Sequence, residues 1–194
     1  MKKNILILLT IILLTTSCSR YEELNNLSII SNIAITKSNN NYIVTMQEIT
    51  PKANDNKIKY EYSYRTSTSK SINKSFSNII NHSPKKIYLE QVQNIIIENK
   101  NRDSIMKEFV KYNNKDLNKK ASLVLSNNDI NSIMKINSNY KYINSVLKEH
   151  IITLKKIKKK TRKKERIYLP LIVKYNKELV FKKNVYLQLY SSDS

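Results

Sequence analysis

The stretch Ile29-Ile30-Ser31-Asn32-Ile33-Ala34-Ile35-Thr36-Lys37-Ser38-Asn39-Asn40-Asn41-Tyr42-Ile43-Val44-Thr45-Met46 decides how the chain begins to fold. Ile33 and Ile35 alternate with small or polar neighbours, and Tyr42, Val44 and Met46 alternate again before Pro51. Side chains of a strand point to opposite faces with period two, so each half describes a strand with one apolar face. Between the halves lies Lys37-Ser38-Asn39-Asn40-Asn41. This is a hairpin loop in which asparagine must supply the left-handed backbone positions, because the chain contains no glycine. Ile58 to Arg65 carries Tyr60, Tyr62 and Tyr64 at the same period, which predicts a third strand and cross-strand packing of its tyrosines.

Downstream the period changes. Ile72, Phe76, Ile79 and Ile80 stand at i, i+4, i+7 and i+8, predicting a helix from about Ser69 to Asn81. Val92 and Ile95-Ile96-Ile97 predict a buried strand, and Ala121 to Leu125 another. Ile105, Met106, Phe109 and Val110 mark a helix between them, and Ile130, Ile133 and Met134 a short one after. Tyr140, Ile143, Leu147, Ile151, Leu154 and Ile157 trace one long helix. Ile167 to Tyr175 and Leu179 to Tyr190 are strand-like. The expected fold is α+β, a mixed sheet with several packed helices in one main domain.

The N-terminus has a different grammar. Lys2 and Lys3 precede the apolar run Ile5 to Leu14, and Thr15, Thr16 and Ser17 lead to Cys18. That order is a secretory signal, residues 1–17, with its cleavage zone. Ten apolar residues rise only ~15 Å as a helix, about half a hydrocarbon core, so a permanent span is not expected. Cys18 is the only cysteine and has no disulfide partner within the chain. The segment resembles the signal of bacterial lipoproteins, which implies a covalent diacylglycerol on Cys18 and an anchor on the extracytoplasmic face of a membrane. Two acyl chains suffice for stable anchoring.

Net charge is +20, leaving +18 once Lys2 and Lys3 are removed with the signal. Such a surface attracts polyanions. Export makes lipid head groups or wall polymers the expected partners rather than nucleic acid. Asn, Lys, Ile and Tyr dominate the composition, the set an AT-rich genome favours, so part of the excess charge is codon bias. The charge is densest at Lys155, Lys156, Lys158, Lys159, Lys160, Arg162, Lys163, Lys164 and Arg166, nine cations over twelve positions with Glu165 the one acid. Near an anionic bilayer such a strip gains about 1 kcal/mol per residue at the surface. The strip reads equally well as a membrane or partner contact and as a solvated linker, residues 156–166, between a helix and a strand.

Enzymatic signals are sparse. Without glycine there is no phosphate-binding glycine loop. His82 and His150 are the only histidines, too few for a metal site, and His150 falls between Leu147 and Leu154 as a partly buried core residue. Glu22-Glu23 and Glu48 read as helix-dipole partners rather than catalytic acids. No metal, cofactor or catalytic set is expected.

The run Cys18-Ser-Arg-Tyr-Glu-Glu-Leu-Asn25, leading into Ser28-Ile-Ile-Ser-Asn-Ile-Ala-Ile-Thr-Lys37, resembles the mature N-terminus of the C subunits of spore germination receptors, the Ger(x)C lipoproteins. Those proteins read Cys-Trp-Asp-(Arg/Lys)-x-Glu-Leu-Asn and then enter a strand. Glu23, Leu24 and Asn25 match, while Ser19 and Arg20 replace the Trp and Asp. Tyr42 to Pro51 is similar to the family's second strand, Ser69 to Ser83 sits where its first amphipathic helix falls, and Ile87 to Ile97 matches its "hlqviii" strand in order. The resemblance implies a Ger(x)C-like N-terminal domain over residues 18–155. Residues 167–194 are then a strand pair, the remnant of a truncated second part. It further implies a non-enzymatic scaffold or interaction subunit of a nutrient germinant receptor, on the spore inner membrane beside integral-membrane subunits. The alternative is a stand-alone exported lipoprotein that binds an anionic polymer or small ligand.

Overall fold

The computed structural model describes residues 26–54, 57–136, 142–176 and 178–189. Residues 1–17, expected to be a signal segment, lie outside them, as do Cys18, the Glu22-Glu23 pair and the last five residues. Strands β1 (Leu27–Ser38), β2 (Asn41–Asn54) and β3 (Lys57–Ser69) form an antiparallel meander. Helix α1 (Ile72–Asn81) follows, then β4 (Lys86–Tyr88), β5 (Asn94–Glu98), α2 (Arg102–Phe109) and β6 (Ser122–Ser126). Next come α3 (Ile130–Ile136), α4 (Tyr142–Leu147), α5 (Leu154–Arg162), β7 (Ile167–Tyr175) and β8 (Glu178–Leu187). One mixed eight-stranded sheet runs in the order β3-β2-β1-β5-β6-β7-β8, with β4 pairing alongside β1. The α+β reading is correct.

The β1–β2 hairpin is tighter than the five-residue loop expected. Ser38 pairs with Asn41, so only Asn39 and Asn40 turn, at φ of 46° and 62°. Positive φ at both central residues is the primed turn that matches strand twist, and asparagine tolerates it best after glycine. β3 runs to Ser69, so α1 starts three residues later than its periodicity suggested, with Ser71 Oγ accepting from Lys74 N as its N-cap. β2 continues past Pro51 to Asn54.

β1, β5, β6 and β7 are parallel and the central ones are buried on both faces. Parallel strands covered by helices on both sides lose the polar alternation of a half-exposed sheet. One face carries Ile33, Ile35, Ile95, Ile97, Leu123 and Leu125 against Phe76, Ile105, Phe109, Leu154 and Ile157. The other carries Ala34, Ile96, Val124 and Ile172 against Ile133, Met134, Ile143 and Leu147. Ala34, between Ile33 and Ile35 on the opposite face of β1, is therefore core as well.

This division explains why two helices stand where the period from Tyr140 to Ile157 predicts one. The apolar residues from Ile143 to Ile157 follow a single helical period, yet Ile143 and Leu147 serve one face of the sheet and Leu154 and Ile157 the other. A straight helix stays on one face, so the chain breaks. After a 3-10 turn at Lys148–His150, in which Lys148 takes φ 44°, the backbone crosses the end of β6. There Ile152 O accepts from Leu123 N at 2.9 Å, and Leu154 N donates to Ala121 O at 2.9 Å. Thr153 then caps a new helix.

Three further expectations need correction. Residues 156–166 are not a linker, since α5 spans most of them and buries Ile157 completely. Residues 167–189 do not stand apart as the remnant of a second part, since β7 joins β6 in the main sheet and β8 pairs with β7. His150 is not core. It is exposed, with its ring stacked on Phe181 at 3.9 Å between centroids. Tyr60 and Tyr64 are also largely exposed, on edge strand β3, where Lys52–Glu61 and Arg65–Glu48 pair across to β2.

Candidate anion-binding cleft

The nine basic residues of the 155–166 run are sorted by helical geometry. Leu154 and Ile157 turn toward the core and fix the rotation of α5. Lys155, Lys158, Lys159, Arg162 and Lys163, at i, i+3, i+4, i+7 and i+8, then share one flank and line a cleft of about 520 Å³. Lys156, Lys160, Lys164 and Arg166 do not line it. Lys160 instead donates from Nζ to Arg166 O at 3.2 Å, and Lys163 pairs loosely with Glu165 at 4.0 Å.

Both ends of α5 are capped, but only the C-terminal end suits its charge, since Lys155 and Lys156 stand without an acid in the first turn. Thr153 Oγ1 accepts from Lys156 N at 3.4 Å at the N-terminus. Cations crowd the C-terminal turn, where the helix dipole is negative. Lys164 closes the helix at φ 53°, the position glycine usually takes.

The opposite wall of the cleft is the loop from Asn113 to Lys119. It is stiff because asparagines replace regular hydrogen bonding. Asn114 Nδ2 donates to Tyr112 OH at 2.9 Å, and Asn114 Oδ1 accepts from Asp116 N at 2.8 Å. Asn118 Nδ2 donates to Val92 O at 2.8 Å and its Oδ1 accepts from Lys120 N at 2.9 Å. Lys155 N donates to Lys119 O at 2.9 Å, tying loop to helix. Tyr112 is buried and stacked on Phe76 at 4.3 Å, and burial raises its phenol above the ordinary value. Lys115 and Lys119 bring the cleft to seven cations, with no carboxylate in its lining. Lys115 and Lys119 lie outside the dense run, in a sparser basic segment with Lys111 and Lys120 whose only sequence signal is its charge.

Lys158 sits deepest. Its Nζ donates to Tyr112 O at 3.0 Å, and burial, then Arg162 and Lys119, hold its ammonium below the usual lysine range. Asp116 lies on the same loop but outside the lining.

A second hollow, of about 690 Å³, opens beyond the carboxyl ends of β1, β5 and β6. Its polar groups largely satisfy one another. Glu98 Oε2 accepts from Asn101 Nδ2 at 2.7 Å and from Lys37 N at 3.3 Å, and Asn99 Nδ2 donates to Asn127 Oδ1 at 2.7 Å. Among the described residues, no cluster of three or more His, Cys, Asp or Glu side chains is arranged to hold a metal. Among them too, no helix is long and apolar enough to cross a membrane.

The family model described as the spore germination protein N-terminal domain matches residues 20–172. The chain belongs to that family. The match begins just after Cys18 and ends within β7, so this germination domain takes in the whole of α5 and both walls of the basic cleft. No curated protein and no solved structure matches the chain. Membership links this germination domain to spore germination and bears out the resemblance read from Glu23-Leu24-Asn25 and the strands that follow.

Proposed function

We propose that the chain is a membrane-anchored lipoprotein subunit of a nutrient germinant receptor, held through diacylglycerol on Cys18 and acting as a scaffold without catalysis. The observation that carries this is the germination-domain match, which starts two residues after the one cysteine of the sequence. The order Lys2-Lys3, apolar run, Thr15-Thr16-Ser17 and Cys18 supports the anchor. Its site is the outer surface of the spore inner membrane, and its partners are the receptor's integral-membrane subunits. The sheet edge and the cationic flank of α5 are the surfaces through which it meets bilayer and partners.

Metabolic labelling with a clickable fatty acid tests the anchor. The wild type takes up label and sediments with membranes, whereas Cys18→Ala does neither. An unlabelled, freely secreted wild type overturns the lipoprotein assignment. Cross-linking in spores then tests the subunit assignment, which predicts adducts with a multispan membrane protein.

A further inference from the structure

Seven like charges around one hollow repel one another, and a fold gains nothing from assembling them unless something neutralises them. Exposed lysines usually avoid this cost by splaying into water. Here the geometry prevents it for Lys158, whose ammonium is tethered to Tyr112 O at 3.0 Å beneath its neighbours. Four asparagine side-chain hydrogen bonds hold the loop wall, so the backbone that carries Lys115 and Lys119 is preorganised opposite Lys158. Leu117 and Leu154 supply an apolar floor. Burial and the charges of Arg162 and Lys119 depress the Lys158 ammonium, and a bound anion would reverse that effect.

We infer that the cleft between α5 and the Asn113–Lys119 loop is a discrete binding site for a phosphate group, with Lys119, Lys158 and Arg162 as its central ligands. Phosphate is favoured over a carboxylate because its non-bridging oxygens are spread over a tetrahedron that several ammonium donors and one guanidinium can share, and a monoester adds further negative charge. The volume of about 520 Å³ exceeds what inorganic phosphate fills and suits a phosphate bearing a small polar substituent. A phospholipid head group and a free phosphate ester share that chemistry. The inference sharpens the membrane-facing role proposed for α5 but does not depend on the lipid on Cys18 or on receptor partners.

The test uses the full chain carrying Cys18→Ala, so that no acyl chain contributes. Binding is measured to inorganic phosphate by calorimetry, and to vesicles of phosphatidylglycerol or phosphatidylcholine by flotation. Lys158→Gln/Arg162→Gln is compared with Lys156→Gln/Lys164→Gln, which removes the same charge from outside the cleft. Circular dichroism confirms that both variants are folded, and Lys119→Gln serves if the first pair is not. The expected result is at least tenfold weaker binding for the cleft pair and less than twofold change for the control pair. Cleft-dependent binding of soluble phosphate points to a free ester as the source. Cleft-dependent binding of phosphatidylglycerol vesicles alone points to the head group. Equal weakening in both pairs means diffuse electrostatics and overturns the proposal, as does no binding to either probe. Failure here leaves fatty-acid labelling of the wild type unaffected, so the two readings fail separately.

Discussion

Gln47→Leu is the substitution that tests most directly how the sheet is locked. Gln47 is fully buried in β2, opposite the point where β1 bulges between Ile30 and Asn32. Its carbonyl Oε1 accepts from Ser31 Oγ at 2.8 Å and from Asn32 Nδ2, and its Nε2 donates to Met134 O at 3.0 Å and Tyr64 OH at 3.3 Å. Asn32 Oδ1 in turn accepts from Asn94 Nδ2 at 2.9 Å, so one amide links β2, β1, β5 and α3. Leucine keeps the volume and removes all four bonds. Ser31 retains a bond to Gln47 O at 3.2 Å, and Tyr64 OH has access to water. Asn32 Nδ2 is left with a long contact of 3.4 Å to Ser31, and the Met134 carbonyl, in the last turn of its helix, loses its side-chain donor. Each buried orphan costs about 1–3 kcal/mol, partly offset by the apolar side chain, for a net loss of about 3 kcal/mol. With a urea m-value of about 2 kcal/mol/M, the midpoint should fall by about 1.5 M at unchanged slope. A shift smaller than about 0.3 M refutes the claim that this network holds the sheet to α3.

Ile157→Ala removes a fully buried side chain from the basic segment that sequence alone left open as a contact surface or a solvated linker. It should cost about 2–5 kcal/mol in thermal or urea unfolding, whereas a solvated linker position would cost under about 0.5 kcal/mol. Asn40→Val puts a β-branched residue at φ 62°, and should destabilise by about 1–2 kcal/mol. Asn40→Gly should be neutral or stabilising, and the reverse order would contradict a primed turn. Tyr112 is raised by burial, so its contribution is fully present below the unfolded value near pH 10 and is lost as pH climbs through the higher folded value. Urea midpoints of the wild type should therefore fall more steeply above pH 10 than those of Tyr112→Phe. Parallel curves would mean that the ring is hydrated.

Local periodicity was enough to place β1, β2, β5, α2, β6, α3 and β7, because each has its apolar residues at the spacing of one element. Asn39-Asn40 was legible as a turn because a glycine-free chain leaves few residues that accept positive φ. The germination-family resemblance was equally legible, because the order Glu23-Leu24-Asn25 and the strands after it is a linear pattern. Half of the candidate site was visible too, as the run from Lys155 to Arg166. What tertiary structure alone decided was which residues share a surface. Periodicity is blind to which face of a sheet a helix covers, so it merged α4 and α5. Only the crossing at Ile151–Thr153 shows that Leu147 and Leu154 belong to opposite faces. The same limit hid the cleft. Lys115 and Lys119 meet Lys158 because β6 and the face-switching segment intervene between them in sequence and return α5 beside the loop. A charge count sees nine cations in a row, and the fold selects five of those and two distant ones to surround one hollow.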